Sequence, residues 1–70
     1  MRLIVNGEAR ESAARNLAEL WQAEADALDL DGPQGFAIAL NGEIAPRAKW
    51  QATSLSDGDR VEIVRAMRGG

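Results

Sequence analysis

The sequence contains no cysteine and no histidine, and among its 70 residues there are only two prolines, one phenylalanine and no tyrosine. Without cysteine there is no disulfide and no thiolate nucleophile. With histidine missing as well, the usual ligand set for a structural zinc is gone, so a fold this small must stand on packing alone. A histidine-activated nucleophile is likewise excluded, because no side chain present changes charge near neutral pH in its ordinary state. Lys49 is the one lysine, between Ala48 and Trp50 in a polar stretch. A solvated or ring-stacked cation fits that setting better than a desolvated catalytic amine. No apolar run approaches the roughly 20 residues of a membrane span. The opening Met1-Arg2-Leu3-Ile4-Val5-Asn6 is too short in its apolar part for a signal peptide. These absences lead to the expectation of a cytoplasmic chain with no membrane partner, and the lack of cysteine is consistent with a reducing compartment. An excess of positive charge is also missing: eight Lys and Arg against eleven Asp and Glu leave a net charge of -3, and the basic residues do not cluster. That argues against a nucleic-acid partner, since phosphate neutralisation supplies most of such affinity.

What is present is an ordinary globular balance, 46% apolar and 27% charged. One domain of this length buries only about 60% of its unfolded surface, which leaves little room for an enclosed active site. A surface or a chain end is the more natural seat of function.

The turn signals divide the chain. Leu3 to Val5 reads as a strand, Asn6-Gly7 as a hairpin turn and Glu8 to Ser12 as the return strand, its charges at Glu8, Arg10 and Glu11 suiting an edge. A helix is expected from Asn16. Asn16 is a good N-cap, and Glu19 has the spacing of a reciprocal capping box. Leu17, Leu20, Trp21 and Leu28 share one helical face, and the alanines at 18, 23, 25 and 27 favour helix. Asp29 to Pro33 should end it, with Gly32 and Pro33 as stop signals. Phe36 to Leu40 reads as a strand, Asn41-Gly42 as a second turn and Glu43 to Ala45 as a short strand. Pro46 can open a single helical turn through Trp50. Ser56-Asp57-Gly58-Asp59 is a turn, and Arg60 to Arg65 the last strand, with Val61 and Ile63 on one face and Glu62 and Val64 on the other. One helix among strand pairs predicts an α+β roll.

Few residues offer chemistry. Asp29 with Asp31 and Asp57 with Asp59 are paired carboxylates, but their glycines come too early for a calcium loop, and aspartate beside glycine is ordinary turn chemistry. Trp21 belongs on the apolar helix face. Trp50, in a loop or short turn, is expected to be buried or half-buried. There is thus no catalytic, cofactor-binding or metal-binding candidate among the side chains. The chain ends on Gly69-Gly70. On composition alone this is a frayed end. A carboxylate on an arm without side chains has another use, because it can enter a narrow channel that any Cβ would block. Such a carboxylate is a poor electrophile until ATP converts it to an acyl-adenylate.

The order of elements resembles the β-grasp, or ubiquitin-like, fold: a mixed sheet with one main helix packed on one face. Within that fold the residues are similar to the ThiS family, the sulfur carriers of thiamin biosynthesis. The segments that carry the resemblance are Leu3-Ile4-Val5-Asn6-Gly7-Glu8, Ala39-Leu40-Asn41-Gly42-Glu43-Ile44-Ala45-Pro46-Arg47, Leu55-Ser56-Asp57-Gly58-Asp59-Arg60-Val61-Glu62-Ile63-Val64 and the final Gly69-Gly70. The match runs nearly end to end, loosest in the helix and in Asp29 to Gly35.

The resemblance implies a β-grasp domain over 1–66, a flexible diglycine tail over 67–70, and a carrier that is not itself an enzyme. An adenylyltransferase of the ubiquitin-activating (ThiF-like) type would use its own ATP and magnesium to adenylate Gly70. A sulfur donor protein would convert the adenylate to a thiocarboxylate, and a thiazole synthase (ThiG-like) would take the sulfur. Gly69 would keep the threading arm slim. The carrier would bring no cofactor of its own. Arg68 departs from the smaller or uncharged residue often found there in the family and resembles the Arg-Gly-Gly end of ubiquitin. Three alternatives stay open at this point: a carrier for molybdopterin or another pathway, a ubiquitin-like modifier of protein lysines, and a binding module with an incidental tail. If Leu3, Val5, Val61 and Ile63 face the core, Ile4 and Val64 face away from the helix. With Met67 and Arg68 they are the candidate partner-docking residues.

Overall fold

The computed structural model describes residues 1–29, 32 and 34–65. Strands β1 (Arg2–Val5) and β2 (Glu8–Glu11) form the first hairpin, and helix α1 (Leu17–Leu28) follows. Strands β3 (Phe36–Leu40) and β4 (Glu43–Ala45) form the second hairpin. A 3-10 helix (Arg47–Ala52) and strand β5 (Arg60–Arg65) complete the order. The sheet runs β2-β1-β5-β3-β4. The last strand therefore lies at the centre, parallel to β1 and antiparallel to β3. This is the expected β-grasp arrangement, with one helix across a mixed sheet.

Both hairpins turn on Asn-Gly. Asn6 and Gly7 have φ of 52° and 84°, Asn41 and Gly42 of 51° and 88°. Positive φ at both central positions defines the type I′ turn, whose twist matches that of the flanking strands. The Ser56–Asp59 turn is fastened to β1. Asp57 Oδ1 accepts the Arg2 N–H at 2.7 Å, and Asp59 Oδ2 accepts the Ser56 N–H at 2.8 Å. Both carboxylates thus serve the turn, as the sequence suggested. Asp31, the partner proposed for Asp29, lies outside the described residues.

The helix begins where expected. Asn16 Oδ1 accepts the Glu19 N–H at 2.8 Å, satisfying one of the orphan donors of the first turn. The reciprocal bond differs from the capping box anticipated. The Glu19 carboxylate accepts the N–H of Arg15, not of Asn16, at 2.8 Å. The chain enters α1 as an isolated antiparallel bridge, with Asn16 opposite Ser54 and the neighbouring bonds running Leu17 N–H to Thr53 and Leu55 N–H to Arg15. That bridge uses the Leu17 N–H and the Arg15 carbonyl, and the Arg15 N–H stays free for Glu19. The helix stops at Asp29, which takes the left-handed conformation (φ 57°) and returns its N–H to the Ala25 carbonyl. Aspartate tolerates this region, so termination precedes the glycine and proline that the sequence offered.

Leu3, Val5, Leu17, Ile38 and Val61 are fully buried, joined by Leu20, Trp21, Ala25, Trp50 and Leu55, with Phe36, Leu40 and Ile63 packed against them. Leu28 corrects the sequence reading. It shares the angular face of Leu17 and Trp21 but is 65% exposed. Ala25 is the last buried residue of α1, so the final turn extends past the core. One strand end and one helix end also move. β2 stops at Glu11, although Ser12 still exchanges both main-chain bonds with Met1, and the 3-10 helix runs two residues beyond Trp50 to Ala52.

Candidate functional site: the sheet face and the root of the tail

Alternation along β5 sends Val61 and Ile63 into the core and Glu62 and Val64 to the opposite face. β1 does the same with Leu3 and Val5 inside and Ile4 outside. Ile4 and Val64 therefore lie on the face away from the helix, but they are not neighbours. Ile4 pairs with Ala9 on β2 and with Arg60 on β5. Val64 is four residues further along β5, about 13 Å at strand rise, and pairs with Ala37 on β3.

The apolar residues that continue from Val64 lie on the same face, towards the β3–β4 edge of the sheet. Ala37 and Ala39 share the outer face of β3, and Ala39 pairs with Ile44 on β4. Val64 is 50% exposed and Ile44 68%. Ile44 was overlooked in the sequence reading, where Glu43 to Ala45 was simply a short strand. Its alternation with Ala45 held the signal, but only the register of β4 on β3 brings it into line with Val64. Glu62, paired with Ala39, puts one carboxylate within this patch. On the opposite face the guanidinium of Arg65 sits 5.6 Å from the centroid of the Phe36 ring. Phe36 in turn packs on Trp21 at 4.9 Å, and Trp21 on Trp50 at 6.0 Å. All the aromatic rings thus form one row that ends under the last residue of β5, a cation–π contact at the root of the tail. Met67, Arg68, Gly69 and Gly70, the remaining expected site residues, lie outside the described residues, as does the tail segment 67–70.

A groove of about 400 Å³ between β2 and α1 is lined by Arg10, Ser12, Glu19 and Glu24 among others. Arg10 and Glu24 form an ion pair there, so neither presents a free charge. No group of three or more acidic, histidine or cysteine side chains could hold a metal ion among the described residues. Lys49 is exposed on the 3-10 helix, while Trp50 is buried, its indole N–H donating to the Ala45 carbonyl at 2.9 Å. The Glu19 carboxyl is held below its ordinary value. The Arg15 backbone N–H, then the Arg15 side chain, lower it, and it serves the helix start.

Comparison with known proteins decides the family. The ThiS family profile matches residues 3–70. The chain belongs to the ThiS family. Sulfur carrier protein ThiS of Escherichia coli (strain K12) is 32% identical over 72 residues, covering all of both chains. A thiazole synthase of Paramagnetospirillum magneticum is 34% identical over 70 residues. The whole of this chain is matched there, but it spans only 20% of that relative. The crystal structure of ThiS from Geobacter metallireducens superposes over all of both chains with a TM-score of 0.78 at 34% identity. A solution structure of a thiamine biosynthesis protein from the same organism gives 0.69 at 36%, covering 88% of that chain. The molecule is a ThiS-type sulfur carrier of thiamin biosynthesis, and its small β-grasp frame suits a carrier.

Proposed function

We propose that this ThiS-family chain carries sulfur on the carboxyl group of Gly70. The carboxylate oxygen attacks the α-phosphorus of ATP and pyrophosphate leaves, which gives an acyl-adenylate. A sulfide-level nucleophile, delivered by a sulfur donor protein, then displaces AMP and leaves a thiocarboxylate. The ATP and magnesium belong to a ThiF-like adenylyltransferase, and the carrier contributes no cofactor. A ThiG-like thiazole synthase receives the sulfur. The observation that carries this reading is the family match through residue 70 together with the end-to-end likeness to a sulfur carrier. The thiazole synthase that includes a segment like this whole chain supports the choice of recipient.

The patch of Val64, Ala37, Ala39 and Ile44 at the root of the tail is the docking surface in this reading, with Ile4 at its far margin and Met67 and Arg68 on the approach to the diglycine. An exposed apolar patch beside a reactive end marks an interaction site. No helix among the described residues is long and apolar enough to cross a membrane.

The test is the intact mass of the chain after incubation with ATP, magnesium, a ThiF-like enzyme and a sulfur donor. The expected result is a mass gain equal to one oxygen replaced by sulfur, abolished when Gly69 and Gly70 are deleted. An unchanged mass with an enzyme that activates its own carrier would sink the reading. Attachment of the chain to protein lysines, in keeping with Arg68, would make it a modifier instead.

A further inference from the structure

β5 carries the tail, and two asparagines hold it from opposite sides. On the β3 side, Asn41 donates its N–H to the Arg60 carbonyl at 2.8 Å and accepts the Arg60 N–H on Oδ1 at 2.9 Å. This fastens the first residue of the strand. On the β1 side, Asn6 donates its N–H to the Val61 carbonyl at 2.9 Å and accepts the Ile63 N–H on Oδ1 at 2.8 Å. The residue pairs of β1 with β5 end at Val5 and Val61. The Asn6 side chain thus adds a rung nearer the tail. Beyond Ile63, β5 is paired only with β3 among the described residues, through Val64 with Ala37 and Arg65 with Phe36.

The hairpin itself does not require this side chain. A type I′ turn is served as well by Gly-Gly or Asp-Gly, and the main chain of β1 already binds β5. We infer that Asn6 is a positioning residue for activation of the carrier, fixing through Ile63 the direction in which the tail leaves the sheet. The inference rests on the reading that the Gly70 carboxylate is the group activated. Five residues follow Arg65, a reach of at most about 18 Å when extended. Over so short an arm, the place of the carboxylate depends on the orientation of its root. A root held from one side alone presents the carboxylate productively for less of the time. Misplacement of a reacting group by about 1 Å can slow a reaction by about a hundredfold. Asn6 acts through β5, by its bonds to Val61 and Ile63.

Three substitutions in the full chain test this. Asn6→Gly keeps the positive φ and removes the acceptor. Asn6→Asp keeps an acceptor oxygen. Asn41→Gly removes the corresponding acceptor at the other end of β5, away from the tail, together with the Asn41 amide's bond to Asp59. Adenylation is followed as pyrophosphate release with a ThiF-like enzyme, at a temperature where all variants are folded. Amide exchange at Ile63 reports whether the rung is present. The expected result for Asn6→Gly is a kcat lower by about tenfold with KM changed by less than about twofold, because the docking surface is untouched. Asn6→Asp and Asn41→Gly should stay within about twofold of the parent in both constants. Equal slowing by Asn6→Gly and Asn41→Gly would reduce Asn6 to a general stabiliser and overturn the inference. So would a parent-like rate for Asn6→Gly with the Ile63 amide exchanging freely. If the parent chain gave no pyrophosphate with an enzyme that activates its own carrier, the underlying reading would fall, and this inference with it.

Discussion

Trp50 shows how one residue joins two parts of the fold. Its ring is buried against Trp21 while its indole N–H reaches back to Ala45 at the end of β4. Trp50→Phe keeps most of the apolar contact but leaves the Ala45 carbonyl without its donor, a loss of about 1–3 kcal/mol. Urea unfolding should show a lower midpoint with an unchanged slope. Ile38, fully buried at the centre of β3, is less forgiving. Ile38→Ala should lose about 2–5 kcal/mol, a large share of the stability of a domain this small, and thermal unfolding would show a chain partly unfolded at 37 °C. Ile44 and Val64 differ because their side chains face outward. Ile44→Asp and Val64→Asp should leave the melting temperature within a few degrees while weakening association with the adenylyltransferase by about tenfold or more, measured by titration calorimetry. Collapse of the fold in either variant would mean that the outward assignment is wrong.

At the scale of elements, the start of α1 depends on two side chains with different pH behaviour. Asn16 is neutral, and Asn16→Ala should cost about 0.5–2 kcal/mol at any pH through loss of the cap. Glu19 is charged, and its bonds from Arg15 hold its carboxyl below the ordinary 4.5. A carboxyl lowered in the folded state gives up a proton more readily there than in the unfolded chain. Its contribution is therefore complete above the unfolded value and fades as pH falls through the lowered folded value. Glu19→Gln should destabilise the chain near neutrality and make little difference at strongly acid pH, as a series of melting curves would show. The opposite end of the helix has Asp26 and Asp29 and no basic residue in its last turn. Acidic groups there oppose the helix dipole, in line with a final turn that projects past the core with Leu28 exposed.

For the whole molecule, the chain order places the strand that leads to the proposed sulfur-carrying end at the centre of the sheet. β5 is last in sequence and central in space, paired on both sides at its start and on one side at its finish. A central strand is the most firmly held part of such a sheet, so a carboxylate leaving from it starts at a defined place. Deletion of Gly69 and Gly70 removes nothing that the described core uses. It should leave the melting temperature within about a degree of the parent, while abolishing thiocarboxylate formation. A large drop in melting temperature would show that those residues pack on the domain.

Much of this was legible in the residues themselves. The Asn-Gly turns, the Asn16 cap and the alternation in β1 and β5 are local effects, governed by φ preferences, short hydrogen bonds and the two-residue period of a strand. Such local signals were enough for the element order, the identity of most core residues and, through the similarity of the motifs, the sulfur-carrier family. Three matters waited for the tertiary structure. Leu28 has the right angular position but no sheet beneath it, which helical periodicity cannot reveal. Ile44 joins Val64 through β3 only because of the register in which β4 pairs. Asn6, a turn residue by every local rule, reaches a strand 57 positions away in the chain. Each depends on contacts between segments distant in sequence, and those exist only once the sheet has formed.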